Sequence, residues 1–323
     1  MPIFTKSVVS TLSAASAADL QTVGTGRRIA LKTALAVIGS GLVAWPAVQA
    51  IAQGKPARKG APRVVSVGAG VTEIVYALGA ESQLVGIDTS SMYPPAPTKA
   101  LPKVGYQRTL TAEGVISLAP QVLLAGHEAG PPTVLKQVAA AGIQVVNIDG
   151  EYSFEGLVRR IQLVATATGR VDEGRQLVDT LNTKWKAVQA RIAAAPLRSA
   201  AGKPLRVACL MRHGATTMAA GRGTGADAML KLAGATNAFG DAFENYKPLS
   251  AESLAHVAPD AIVGTIDDVE IAGDKQKLLA TPGLSLTPAG RDGKVALLDI
   301  VLLLGFGPRL PQAVEGLYDA LRA

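Results

Sequence analysis

Cysteine is nearly absent from this sequence of 323 residues, which contains only Cys209. A disulfide within the chain is therefore excluded, and the apolar run around Cys209 predicts a buried thiol. Charge is also scarce, because 18% of the residues are charged whereas 48% are hydrophobic. This balance excludes an intrinsically disordered chain and predicts a large core, enough for two domains of ordinary size.

Several functional signatures are missing as well. No basic block is interleaved with aromatic residues. Without the first 52 residues the net charge falls from +7 to +4, and this excess is spread along the chain, so nucleic acid is not expected as a partner. Neither Gly-x-Ser-x-Gly nor a paired-histidine zinc motif occurs. The glycine-rich run over residues 221–225 lacks the Gly-Lys-Ser/Thr ending of a phosphate-binding loop. The sequence therefore gives no motif for a hydrolase or a nucleotide-binding enzyme.

The N-terminal segment has the order of an export signal. The pair Arg27 and Arg28 precedes an uncharged, largely apolar run over residues 33–53, which contains small residues near its end. This order is typical of a secretory signal, and the paired arginines resemble a twin-arginine signal. We expect residues 1–52 to form this signal and residues 53–62 a flexible leader. The alternative is an uncleaved membrane anchor, since about 20 apolar residues can span a bilayer. Both interpretations predict that the rest of the chain works in the periplasm.

Beyond this segment, short β-branched runs alternate with helical patterns, which predicts an α/β fold with mainly parallel sheets. We expect an N-terminal lobe over residues 63–150 and a C-terminal lobe over residues 198–323. Between them, residues 151–197 have helical spacing and few turn signals, so one long helix is predicted to join the lobes. The predicted strands are at 64–67, 84–87, 122–125, 144–148, from 205, at 261–263 and at 295–298.

One sequence pattern occurs once in each predicted lobe. Residues 110–120 align without gaps on residues 249–259, and both copies read Leu-[Thr/Ser]-Ala-Glu at the start and Ala-Pro at the end. The glutamates of the two copies are Glu113 and Glu252. A carboxylate suits the positive N-terminus of a helix, so a structural role explains part of the pattern. The repetition itself indicates two related lobes.

The chain from residue 63 onward resembles the haem-binding subgroup of periplasmic solute-binding proteins with a rigid helical linker. This class, class III, also serves cobalamin and siderophore importers. The run Val-Gly-Tyr-x-Arg-Thr-Leu at 104–110, leading into Ala-Glu-Gly, is specific for the haem-uptake members. Broader similarities lie at residues 71–80, 218–229, 246–249 and 303–307.

The resemblance implies a binding protein, not an enzyme, which holds ferric haem between two lobes. Haem b is the expected transported ligand, and the expected partners are the permease and the ATPase of an inner-membrane ABC importer. Tyr106 matches the axial iron ligand of the family, and tyrosinate suits iron(III). Arg108 is a candidate to stabilise the phenolate or to bind a propionate. Glu113 and Glu252 match the glutamates that dock on the permease.

Other residues are weaker candidates for contact with haem. His213, at the predicted end of a strand, is a candidate second iron ligand or wall residue, and the alternative is a hydrogen-bonded loop residue. Arg212 and Lys247 are candidates for propionates, with solvated surface charge as the alternative. Tyr93 is a rival axial donor. His127 follows a strand on the predicted cleft side, where a turn residue is the simpler interpretation, and His256 is expected to face solvent.

Two other functions remain compatible with these patterns. A siderophore or cobalamin binder would share the fold and need no tyrosinate ligand. An extracytoplasmic haem-handling enzyme would share the tyrosinate but turn over its ligand. The absorption spectrum of the purified protein with hemin distinguishes the first, and the absence of turnover excludes the second.

Overall fold

The structure is a computed structural model that describes residues 60–213, 216–266 and 278–322. The predicted signal over residues 1–52 lies outside these described residues, as does the predicted leader up to residue 59. Within the described ranges, none of the helices combines the length and the hydropathy that crossing a bilayer requires.

The N-terminal lobe is built on a parallel sheet. Its four described strands lie in the order β2-β1-β3-β4. The two inner strands are fully buried, whereas β4 at the edge is partly exposed, as expected for apolar runs covered on both faces. The strands are β1 Val64–Val67, β2 Leu84–Ile87, β3 Val122–Ala125 and β4 Gln144–Asn147. The helices are α1 Ala69–Ala77, α2 Pro95–Ala100, α3 Ala112–Ile116 and α4 Pro132–Ala140.

The C-terminal lobe has a mixed sheet. Among the described strands the order is β10-β9-β5-β6-β8, and β7 also pairs with β5. Strands β10, β9, β5 and β7 pair in parallel, whereas β6 pairs antiparallel with β5 and β8. The strands are β5 Arg206–His213, β6 Thr216–Ala220, β7 Thr236–Asn237, β8 Tyr246–Pro248, β9 Ala261–Ile266 and β10 Val295–Asp299. The helices accompanying them are α7 Gly225–Leu232, α8 Ala251–Val257, α9 Pro288–Arg291, α10 Ile300–Leu304 and α11 Leu310–Arg322.

The connector between the lobes consists of two helices and differs in this detail from the predicted single one. Helix α5 spans Phe154–Thr168 and α6 spans Val171–Ala194. Gly169 adopts a left-handed conformation with φ 66° and ends α5, because glycine has no Cβ to oppose it. The two helices pack on each other, and the rings of Phe154 and Trp185 stack with centroids 5.0 Å apart.

The lobes share one apolar core and make a tight contact. The core extends from Ile74 in α1 through Leu157 in the connector to Leu317 in α11. Near the start of α1, a Cβ on Gly70 would lie 2.0 Å from the carbonyl oxygen of Gly305, so the two backbones approach more closely than any side chain allows. The segments at residues 71–80 and 303–307, which resemble the haem-binding subgroup in sequence, thus both lie at the contact between the lobes.

The repeated pattern forms equivalent helix starts. Thr111 accepts a hydrogen bond from the amide of Gly114 at 3.1 Å, and Ser250 accepts one from the amide of Ser253 at 3.0 Å. Helices α3 and α8 begin at the next residue and precede strands β3 and β9. Both copies of the pattern therefore begin a helix with a side-chain cap.

Candidate ligand-binding cleft

A cleft of about 490 Å³ lies between the two lobes. The N-terminal lobe contributes the loops that follow β1 and β3, at Gly68 and Gly126. Because β2 and β3 lie on opposite sides of β1, the chain reverses its direction across the sheet at this point, where ligands of open α/β sheets usually bind. The C-terminal lobe contributes Met211 of β5 and the segment from Leu304 to Phe306.

The walls of the cleft are mainly apolar, with a few polar groups placed among them. This composition is typical of a site for a large organic ligand rather than for a small ion. The apolar side chains come from both lobes: Val71, Met92, Ile148, Met211, Met218, Ile300, Val301, Leu304 and Phe306.

Tyr106 lines this cleft and is 43% exposed. It directly precedes a 3₁₀ turn over Gln107–Thr109. Within the described part of the chain its hydroxyl has no hydrogen-bond partner, so the oxygen is available to a ligand. The chain turns directly after Tyr106, and Tyr106 and Arg108 both line the cleft.

Two other tyrosines line the cleft, and their hydroxyls are engaged. Tyr152 pairs with Nε2 of His127 at 3.0 Å, and Tyr246 bonds to Thr224 and to the backbone of Ala226. Burial raises the pKa of both phenols, so neither is suited to lose its proton at neutral pH. Of the three, Tyr106 is therefore the best-placed phenolate donor.

Arg108 forms an ion pair with Glu128 across the loop after β3. Glu128 also accepts a hydrogen bond from the side-chain Nε2 of Gln107 at 2.8 Å. The hydrogen bond with Glu128 raises the pKa of Arg108, and charge on Tyr106 adds to this effect. The side chains of Gln107, Arg108 and Glu128 thus form one polar group on the wall of the N-terminal lobe, and Tyr106 directly precedes Gln107 in the chain.

The predicted residues of the C-terminal lobe are placed differently from one another. Arg212 lines the cleft. His213 is the last residue of β5, but its side chain lies outside what the structure describes. Lys247 lies over the ring of Phe243, 5.3 Å from its centroid, and is not among the described residues that line the cleft.

The rival donors have other contacts. Tyr93 carries the guanidinium of Arg309 on its ring, 3.6 Å from the centroid. His127 lines the cleft, and burial of its ring lowers its pKa, opposed by Glu128 and supported by Arg160 and Arg108. His256 is exposed in the last turn of α8, as expected.

Sequence reasoning missed Arg160, which is buried in α5 and lines the cleft. A signal was available, because Arg160 lies three residues after Leu157 and four before Val164, on the apolar face of the helix. Helical spacing does not predict which groups surround the Arg160 side chain, because these come from other parts of the fold.

Glu113 and Glu252 are exposed in the first turns of α3 and α8. Neither forms an ion pair with any residue that the structure describes. Their carboxylates are accordingly available on the surface of each lobe.

Two lobes, a helical connector and an apolar inter-lobe cleft define a solute-binding protein. The chain belongs to the periplasmic binding protein family, whose model matches residues 64–301. The predicted class of protein and fold are thereby confirmed, and the family places the protein outside the cytoplasm. A curated relative, the uncharacterised ABC transporter substrate-binding lipoprotein YvrC of Bacillus subtilis, is 29% identical over 82% of this chain and 81% of its own.

Solved structures agree with this assignment. The periplasmic heme-binding protein BhuT, in complex with two hemes, is 43% identical, with a TM-score of 0.74 over 81% of this chain and 98% of its own. The periplasmic heme-binding protein RhuT from Roseiflexus sp. RS-1 is 36% identical, with a TM-score of 0.74 over 81% of this chain and 100% of its own. The predicted resemblance to haem-binding members is thus confirmed.

Proposed function

We propose that this protein binds ferric haem, as haem b, in the inter-lobe cleft and delivers it to an ABC importer. The observation that carries the proposal is Tyr106, whose unpartnered phenolic oxygen lies in an apolar cleft of suitable size. Similarity to heme-binding structures at 43% and 36% identity supports the same ligand. Tyr106 is assigned as the axial ligand, because a phenolate is a hard anionic donor for iron(III).

Binding through Tyr106 is coupled to loss of a proton. Iron(III) is bound by the phenolate, so the hydroxyl of Tyr106 releases its proton when the iron binds. We therefore expect haem affinity to rise with pH.

The remaining contacts to haem are assigned by position. Arg108 and Arg212 line the cleft and are proposed to contact propionates, although a propionate near Arg108 competes with Glu128. Lys247 is the weakest of the three candidates, since it lies away from the described lining. His213 remains our candidate for a second iron ligand, on the basis of its position at the end of β5.

Delivery requires docking on a transporter. We assign Glu113 and Glu252 to this role, because a two-fold permease needs one anchor from each lobe and both carboxylates are exposed. The permease and its ATPase are the proposed partners, and nucleic acid is not.

The proposed domain organisation follows the same function. Residues 1–52 are assigned as a twin-arginine-like export signal and residues 53–62 as a leader, with a retained membrane anchor as the alternative. The lobes are residues 63–150 and 198–323, joined by the linker 151–197.

The test is a hemin titration of the purified protein followed by its Soret absorption. The wild type is expected to bind hemin stoichiometrically without turnover. Tyr106→Phe removes one oxygen and should shift the Soret band and weaken binding at least about tenfold, the effect of losing roughly 1.4 kcal/mol.

Tyr152→Phe is the matched control, because it removes a cleft hydroxyl that is already engaged, and it should keep the wild-type spectrum. Wild-type protein that gives no hemin-dependent band would overturn the proposal in favour of a siderophore or cobalamin ligand. Identical spectra of Tyr106→Phe and the wild type would overturn the assignment of the axial ligand.

A further inference from the structure

One guanidinium in the wall of the cleft is buried without an anion. Arg160 is 5% exposed and belongs to the residues that line the cleft. Its Nη1 reaches the carbonyl oxygen of Asp149 only at 3.5 Å, whereas Nε and Nη2 have no hydrogen-bond partner among the described residues. Native proteins rarely leave buried charge in this state, and each such group calls for an explanation.

The nearby carboxylates are taken by the preceding residue. Arg159 lies on the exposed side of α5 and forms ion pairs with both Asp149 and Glu151. Asp149 and Glu151 act on Arg160 only through longer-range charge, and burial lowers the pKa of Arg160. The chain therefore satisfies its exposed arginine and leaves the buried one unpaired.

The two unpartnered nitrogens belong to the same edge of the guanidinium. Nε and Nη2 project side by side, and this edge binds both oxygens of one carboxylate. Arg309 uses the same edge for Glu73, with Nε to Oε2 at 3.0 Å and Nη2 to Oε1 at 2.5 Å. A carboxylate is accordingly the group that would satisfy the unpartnered edge of Arg160.

The charge of Arg160 reaches other polar groups on this wall. The hydroxyl of Tyr152 and Nε2 of His127 are 3.0 Å apart, and both residues line the cleft. The charge of Arg160 acts on both rings: it adds to the burial that lowers the pKa of His127, and it opposes the burial that raises the pKa of Tyr152. A carboxylate at Arg160 would thus lie in a cleft wall that also carries these polar side chains.

We propose that Arg160 is a binding subsite for a carboxylate of the ligand in the cleft. The inference rests on the proposed function, in which the ligand is haem and the carboxylate is a propionate. Arg160 then fixes which edge of the porphyrin faces the connector, while Tyr106 holds the iron. This assigns to the connector helix a role in ligand selection besides joining the lobes.

The test compares hemin with hemin dimethyl ester, in which both propionates are masked, in the same detergent-containing buffer. The wild type should bind hemin about ten- to a hundredfold more tightly than the ester, the range expected for charge-assisted hydrogen bonds. Arg160→Met should lose most of this preference, because only Arg108 and Arg212 then remain to meet a propionate, and it should keep the Soret position that Tyr106 gives. Arg160→Lys, which keeps the charge but loses the two-nitrogen edge, should retain only part of the preference.

Arg159→Met is the matched control, since it changes the adjacent arginine on the same helix, and it should keep the full preference for hemin. A full preference in both Arg160 variants would overturn the inference, even if Tyr106 is confirmed as the iron ligand. If the wild type binds neither porphyrin, the proposed function fails and this inference fails with it.

Discussion

Arg309 lies at the lobe contact and Arg160 at the cleft, and the two differ in what binds the edge formed by Nε and Nη2 of the guanidinium. At the lobe contact, Glu73 occupies that edge and Tyr93 packs against the face of the guanidinium. At the cleft, the same edge of Arg160 is without a partner within the described residues. The first charge is satisfied by the chain itself, whereas the second is left for a molecule that the chain does not supply.

The two arginines therefore show two reasons for burying a charge: one stabilises the fold, and the other binds a ligand. In a buried ion pair each charge is the partner of the other, so removing one of them lowers the stability of the fold strongly. A buried charge without a partner lowers stability, and the fold retains it where a ligand compensates. The lobe contact and the cleft are thus complementary: one fixes the lobes, and the other recognises what lies between them.

The largest difference between the two arginines is expected in the free energy of unfolding when each is replaced by methionine. Arg309→Met leaves the Glu73 carboxylate, whose side chain is 5% exposed, without its partner. We expect a loss of about 2–4 kcal/mol in the free energy of unfolding, because Arg309 itself is partly exposed and the loss for a fully buried pair is larger. Arg160→Met should leave that free energy unchanged or raise it by up to about 1 kcal/mol. Urea denaturation of both ligand-free variants at pH 7 measures the contrast.

A surface pair provides the control for this contrast. Asp172 and Arg175 are both largely exposed, so Arg175→Met should change the free energy of unfolding by less than about 0.5 kcal/mol. Equal losses at Arg309 and Arg160 would show that both guanidiniums are structural.

A smaller effect should appear in the titration of His127. Burial lowers its pKa below the ordinary value of 6.5, and the charges of Arg160 and Arg108 add to this. Arg160→Met should therefore raise the pKa of His127, whereas Arg159→Met should not. The chain has three histidines, so NMR titration with His127→Gln as the assignment variant resolves the group.

The pH dependence of stability follows from the same shift. Because the folded state disfavours the imidazolium, the contribution of His127 to stability is present above its ordinary pKa and is lost as the pH falls below it. Arg160→Met should weaken that loss. An unchanged pKa of His127 in Arg160→Met would place Arg160 too far away to act on this wall.

Most of the fold could be predicted because its signals are local. The buried runs at β1 and β3 are continuous and apolar, and the turn signal at residues 168–170 marks the end of α5. The predicted long connecting helix is present as α6. A second helix, α5, precedes it, because Gly169 takes a left-handed conformation that ends α5. Strand β6 was not predicted, because its identity depends on pairing with β5.

The site was predictable only in part, because side-chain partners are set by the tertiary structure. The motif around Tyr106 leads to the cleft, but the ion pair of Arg108 with Glu128 joins residues 20 positions apart. Spacing places Arg160 on the apolar face of α5 without revealing that its neighbour Arg159 takes the carboxylates. The sequence supplies the charge, and the fold decides which charge remains unpaired.

The most direct test of the account is a crystal structure of the protein with hemin. We predict iron bonded to the phenolic oxygen of Tyr106, located by its anomalous signal, and one propionate on the Nε and Nη2 edge of Arg160. Iron held by another residue, or haem outside the inter-lobe cleft, would contradict it.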